Sequence, residues 1–216
     1  MAAGVVGSNA QVLSANIAGY VVSTTITNNP GYQLYSVPLD SGSNTLKNLF
    51  PSAPAATEII VWQNGAYNIA TYNTALGGHW KTNGVNADLM QMPVGTGYFV
   101  QTLSPFTNTF SGSVDPYTGV SVTNTYAAST YVLIGSEIPY SDAVTNTATI
   151  NLTGVAGNTT IYKWNNASQG FDIYTWTTPL GGHWKLNGVN AVPTLGVGEG
   201  FFFNPNATYN WVQKGP

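Results

Sequence analysis

Residues 76–87, "LGGHWKTNGVNA", return at 180–191 as "LGGHWKLNGVNA", and Thr82 against Leu186 is the one difference in twelve positions. A fold for this chain must therefore supply two equivalent places for one demanding segment. The likeness extends outward on both sides. "IIVWQNGAYNIATYNTALGGHW" (59–80) matches "TIYKWNNASQGFDIYTWTTPLGGHW" (160–184), setting Trp62 against Trp164 and Tyr72 against Trp176. Further on, "PVGTGYFV" (93–100) matches "GVGEGFFF" (196–203). More loosely, 31–39 aligns with 130–139, and 107–113 lies against 207–213. A period of about a hundred residues is too long for a solenoid and right for a small domain. The expected organisation is an uncharged N-terminal arm at 1–16, a first β-domain at 17–113, a linker at 114–117 and a second β-domain at 118–216.

Each unit is a series of short runs rich in Val, Ile, Thr and aromatics, separated by Asn, Gly, Pro and Ser, which is strand and turn chemistry. "QNG" at 63–65 and "NNASQG" at 165–170 are hairpin loops of different length. One short helix is expected over 43–51, where Pro51 stops it. The fold class is all-β, as two tandem homologous small domains. The pattern leaves β-barrel and β-sandwich both open.

Polarity in this chain comes almost without charge. Only 6% of its residues are charged and none is arginine, while Asn (23) and Thr (27) supply hydrogen-bonding capacity. The 43% apolar content excludes a disordered chain. Five scattered lysines cannot form the cationic surface that nucleic acid requires, nor one that holds an anionic membrane. No apolar run approaches the roughly 18–20 residues that span a bilayer. Cysteine is absent, so disulfides and thiolate metal sites are excluded. The first twenty residues have no basic n-region and no continuous apolar h-region, so an intact signal peptide is not expected there.

The repeated block holds both histidines of the chain, His79 and His183, beside Trp80 and Trp184. Two readings compete. Exposed Trp rings offer flat faces to sugars, and Asn83, Asn86, Asn187 and Asn190 would bind the hydroxyls. Alternatively each Trp is a buried corner residue, with Gly-Gly supplying the tight turn and Asn-Gly the positive φ. The corner reading is preferred. A metal site wants several converging His or carboxylate ligands, and Asp88 beside His79 has no acidic counterpart in the second block. No G-x-S-x-G elbow and no signalled pair of acids is present, so no catalytic residue, metal or cofactor is assigned. The glycines of "GTGYFV" and "GEGFFF" lead into strands and mark close backbone approach, not a phosphate loop.

The recurring order of a Gly-Tyr-Val start, a Trp-Asn-Gly hairpin, a Trp-centred turn and a Gly-x-Gly-Phe-Phe strand resembles a group of secreted bacterial β-repeat proteins of verrucomicrobial type. The likeness covers most of the chain after residue 17. Those proteins have Gly-Trp where this chain has Gly-Gly-His-Trp, which makes the histidines a local addition. The resemblance implies secretion and duplication and brings no activity with it. Composition and duplication together point to a non-enzymatic structural subunit, extracellular or on a cell surface, whose partners are copies of itself. Its uncharged arm is expected to add a strand to a neighbour's sheet. The alternative expectation is a secreted carbohydrate-binding module with polysaccharide as its partner.

Overall fold

The computed structural model describes residues 11–13, 20–27, 31–114 and 120–215. The first half contains β1 (Gln11–Leu13), β2 (Tyr20–Ile26), β3 (Gln33–Ser36), the one-turn helix α1 (Leu46–Leu49), β4 (Glu58–Gln63) and β5 (Ala66–Asn73). It continues with β6 (His79–Thr82), β7 (Val85–Asn86), β8 (Gly97–Gln101) and β9 (Phe106–Gly112). The second half begins with β10 (Ser121–Tyr126), β11 (Val132–Gly135), β12 (Asp142–Ala143), β13 (Thr160–Asn165) and β14 (Gly170–Thr177). It ends with β15 (His183–Leu186), β16 (Val189–Asn190), β17 (Thr194–Leu195), β18 (Gly200–Asn204) and β19 (Tyr209–Lys214).

The chain is all-β, with two six-stranded antiparallel sheets ordered β3-β8-β4-β5-β6-β7 and β11-β18-β13-β14-β15-β16. The arrangement is a two-domain sandwich, and neither sheet closes into a barrel. Register repeats along with order. Trp62 faces Tyr67 as Trp164 faces Phe171, and Tyr72 faces Trp80 as Trp176 faces Trp184. The hairpins differ as their sequences require. Asn64 and Gly65, both at positive φ, close a two-residue turn, whereas four residues (166–169) join β13 to β14.

Strand alternation sends one face of each six-stranded sheet into its own core. In the first half Ile59, Val61, Trp80, Tyr98 and Val100 meet Val22, Ile26 and Phe110 of the sheet β1-β2-β9. Helix α1 adds Leu46 and Leu49, capped by Thr45, whose hydroxyl accepts from Asn48 N. In the second half Ile161, Trp184, Phe201 and Phe203 meet Trp211 of the ribbon β10-β19, with Ile150 and Leu152 where the first half has its helix.

Three expectations need adjustment or fall partly outside the described residues. The alignment of 107–113 with 207–213 puts Phe110 against Asn210, yet Phe110 is buried and Asn210 exposed, with Trp211 filling the core instead. A slip of one residue exchanges the faces of a strand. Of the arm at 1–16, only 11–13 are described, and there β1 pairs with β2 of its own chain, Gln11 against Val22. Of the linker at 114–117, only Val114 is described, and it is buried. Among the described residues no helix is long and apolar enough to cross a membrane.

Candidate functional site: two corners and an aromatic cleft

Each corner opens with a single 3-10 turn, Ala75–Gly77 or Pro179–Gly181. The two glycines that follow the apolar residue both take positive φ, 93° and 79° in the first corner, 91° and 80° in the second. A Cβ on Gly78 would lie 2.2 Å from Tyr72 Oη, and one on Gly182 2.5 Å from the Trp176 ring. Glycine is thus required for both conformation and space. The turn folds Trp80 and Trp184 inward, where they are 0% and 1% exposed against Tyr72 and Trp176. Neither ring has a face to offer a sugar. Asn83 and Asn187 lie away from these rings on the exposed turn, each at φ 51° before a glycine at about 80°.

His79 and His183 begin the equivalent strands β6 and β15, and their surroundings differ. His79 Nδ1 lies 2.7 Å from Asp88 Oδ2. That carboxylate also accepts from Trp80 N (2.8 Å), Lys47 Nζ (3.3 Å) and Asn86 Nδ2 (3.3 Å). Burial pushes the Asp88 carboxyl up, but these bonds outweigh it and hold its pKa at about 2. Val192 occupies the position of Asp88 in the second corner, and among the described residues no carboxylate takes its place beside His183 and Asn190. Asp88 is a hub that ties α1, β6 and β7 together. Among the described residues no three His, Cys, Asp or Glu side chains gather as a metal site would need.

The other faces of the two large sheets meet around a pseudo-two-fold axis. Trp62 Nε1 donates to Tyr131 O of the second half (3.0 Å), and Trp164 Nε1 donates to Tyr32 O of the first (2.8 Å). Ser36 N donates to Gly198 O (2.7 Å) as Gly135 N donates to Gly95 O (2.8 Å). Each bond is the image of its partner under the sequence duplication. The Gly-x-Gly motifs make this approach possible. A Cβ on Gly97 would lie 2.7 Å from Leu133, and one on Gly200 2.3 Å from Tyr35 O. Leu34, Phe99, Leu133 and Phe202 close the junction in a third apolar cluster.

Beyond the buried cluster the junction opens into an aromatic cleft with two arms. One arm, of about 300 Å³, is lined by Tyr32, Phe99 and Trp164; the other, of about 270 Å³, by Tyr131, Phe202 and Trp62. Tyr67 and Phe171 belong to both arms and are 51% and 36% exposed. Among the described residues no charged side chain lines either arm. Past Trp164 lies a smaller polar hollow with Asn166 and Glu199, whose carboxylate is 3.0 Å from Lys163 Nζ.

The cleft lies outside the repeated block 76–87 and 180–191. The signal was nevertheless in the sequence. "IIVW" (59–62) and "FFF" (201–203) are continuous apolar runs, which mark strands covered on both faces rather than on one. Compared with known proteins, the chain matches no family model, no curated protein and no solved structure.

Proposed function

We propose that this chain is a non-enzymatic structural subunit, extracellular or on a cell surface, that assembles with copies of itself. The observation that carries this reading is the identity of exposed residues at the two corners. Asn83, Gly84, Val85 and Asn86 are exposed, as are Asn187, Gly188, Val189 and Asn190. Turn geometry accounts for Asn-Gly, but it does not account for Val and Asn after it. Nor does the Asp88 network, because Asn190 remains where that carboxylate is gone. Several exposed positions elsewhere have drifted between the halves, Tyr67 to Phe171 and Ala75 to Pro179 among them, while Ile69/Ile173 and Thr74/Thr178 are kept. A surface kept twice, on a chain with few charges to hold copies apart, suits a subunit that contacts its own kind twice. The described part of the arm, β1, is paired with β2 of its own chain, and the support for the reading comes from the large sheets. Negative-stain microscopy and sedimentation of the purified protein test it. Extended or ring-shaped assemblies are expected, and a monomer at every concentration would refute it.

The aromatic cleft favours a second reading, in which the chain holds a polysaccharide. Tyr67 and Phe171 offer exposed ring faces, with the amide of Asn166 and the carboxylate of Glu199 past Trp164. Retention in affinity electrophoresis through immobilised glycans, lost in Tyr67→Ala/Phe171→Ala, would support it. Equal migration of both proteins would not.

A further inference from the structure

We infer that copies of this chain join through the outermost strands of their large sheets, β7 of one pairing antiparallel with β16 of the next. The inference rests on the self-assembly reading and supplies the contact for it.

The backbone provides the argument. In the first corner Thr82 and Val85 flank the Asn83–Gly84 turn, and Ala87 N donates to Trp80 O at 2.8 Å. Bonded and non-bonded pairs alternate along an antiparallel ladder. The residue between these two pairs, Asn86, therefore directs its own N–H and C=O away from β6. The second corner repeats this, with Ala191 N donating to Trp184 O at 3.0 Å and Asn190 facing outward. Among the described residues, strands β7 and β16 end their sheets, with no further strand beyond them. Each outer edge thus presents one donor and one acceptor at an asparagine, beside a valine that is 70% exposed.

Laid antiparallel, one Val-Asn edge meets another with asparagine opposite asparagine, and the two exchange both backbone bonds. Such a joint has a local two-fold axis, so each edge must carry what the other carries. That requirement explains why exposed Val and Asn are the same in both halves. Edges of two residues are also too short to pair indiscriminately, which is how exposed edges are usually kept safe.

Since the edges are equivalent, β7 pairs with β7, and β16 with β16, as well as β7 with β16. Blocking one edge should then leave dimers, and blocking both should leave monomers. Asn190→Pro removes the outward donor at one edge while keeping an extended φ. Sedimentation velocity should show polymers for the unaltered protein, dimers for Asn190→Pro and monomers for Asn86→Pro/Asn190→Pro. Val189→Lys and Val85→Lys/Val189→Lys, which place charge at exposed positions without touching the core, should give the same dimer and monomer. Circular dichroism checks that each variant is folded. Polymers undiminished in the folded single and double variants would overturn the joint and leave self-assembly standing. Monomers from a single-edge variant would overturn the equivalence of the edges. A monomeric unaltered protein would overturn both readings.

Discussion

The corners at 76–88 and 180–192 have the same backbone and different interiors. Both fold two glycines at positive φ over a buried tryptophan and return through an Asn-Gly turn. In the first, Trp80 Nε1 donates to Phe50 O at the end of α1, and Asp88 gathers His79, Lys47, Asn86 and Trp80 N. In the second, among the described residues, no such helix is present, Val192 replaces the carboxylate, and Trp184 Nε1 is buried without a hydrogen-bond partner. Glycine, tryptophan and Asn-Gly are therefore what the turn itself needs. The polar network belongs to one half only, where it fastens a helix that the other half lacks.

Removing what the corners share gives the largest effect. Trp80→Ala and Trp184→Ala should each destabilise their half by about 3–5 kcal/mol, the usual result of emptying a large core site. Similar losses in chemical denaturation would confirm that the ring carries each corner, and a difference of several-fold would break the parallel.

Removing what only the first corner has should cost less and should depend on pH. The folded Asp88 pKa of about 2 lies below its ordinary value near 3.8. Its contribution is therefore complete above about pH 4 and is lost as pH falls through 2. Allowing for solvent screening, it amounts to about 1–2 kcal/mol. Asp88→Asn should lower the melting temperature at pH 7, and the gap to the unaltered protein should close on acidification towards pH 2. A gap of the same size at pH 7 and pH 2 would mean that the charge is not what the corner uses.

The smallest effect isolates one hydrogen bond. Trp80→Phe strands the Phe50 carbonyl in the core, whereas Trp184→Phe removes a donor that has no partner among the described residues. The first should cost about 1 kcal/mol more than the second. Equal losses would show that the Trp80 bond contributes nothing net.

Much of this architecture was legible because duplication doubles every signal. The pairing of Trp62 with Trp164 and of Tyr72 with Trp176 holds in register, since gaps fell only in turns and loops. The helix expected over 43–51 from the stop at Pro51 is the single turn Leu46–Leu49, capped by Thr45. The slipped alignment at 107–113 arose where short Thr- and Asn-rich strands give one face little to distinguish it from the other. The role of Asp88 was half visible, because His79 is nine positions away across a hairpin whose register the Asn-Gly turn fixes. Lys47 was not visible, since a helix places it there from 41 residues upstream. The cleft stayed hidden for a different reason. A run such as Ile59-Ile60-Val61-Trp62 announces that both faces of a strand are covered, but not that the other half of the same chain provides the cover.

The reciprocal bonds from Trp62 and Trp164 lead to a last consequence. Each tryptophan reaches for a carbonyl in the opposite half, as in a homodimer whose two chains have been joined into one. Tethering turns their encounter into an intramolecular event, at an effective concentration well above that of separate chains in dilute solution. A junction that need only win at such concentrations does not have to cover its whole surface. Aromatic rings can remain exposed at its mouth, as Tyr67 and Phe171 do, without the two halves coming apart.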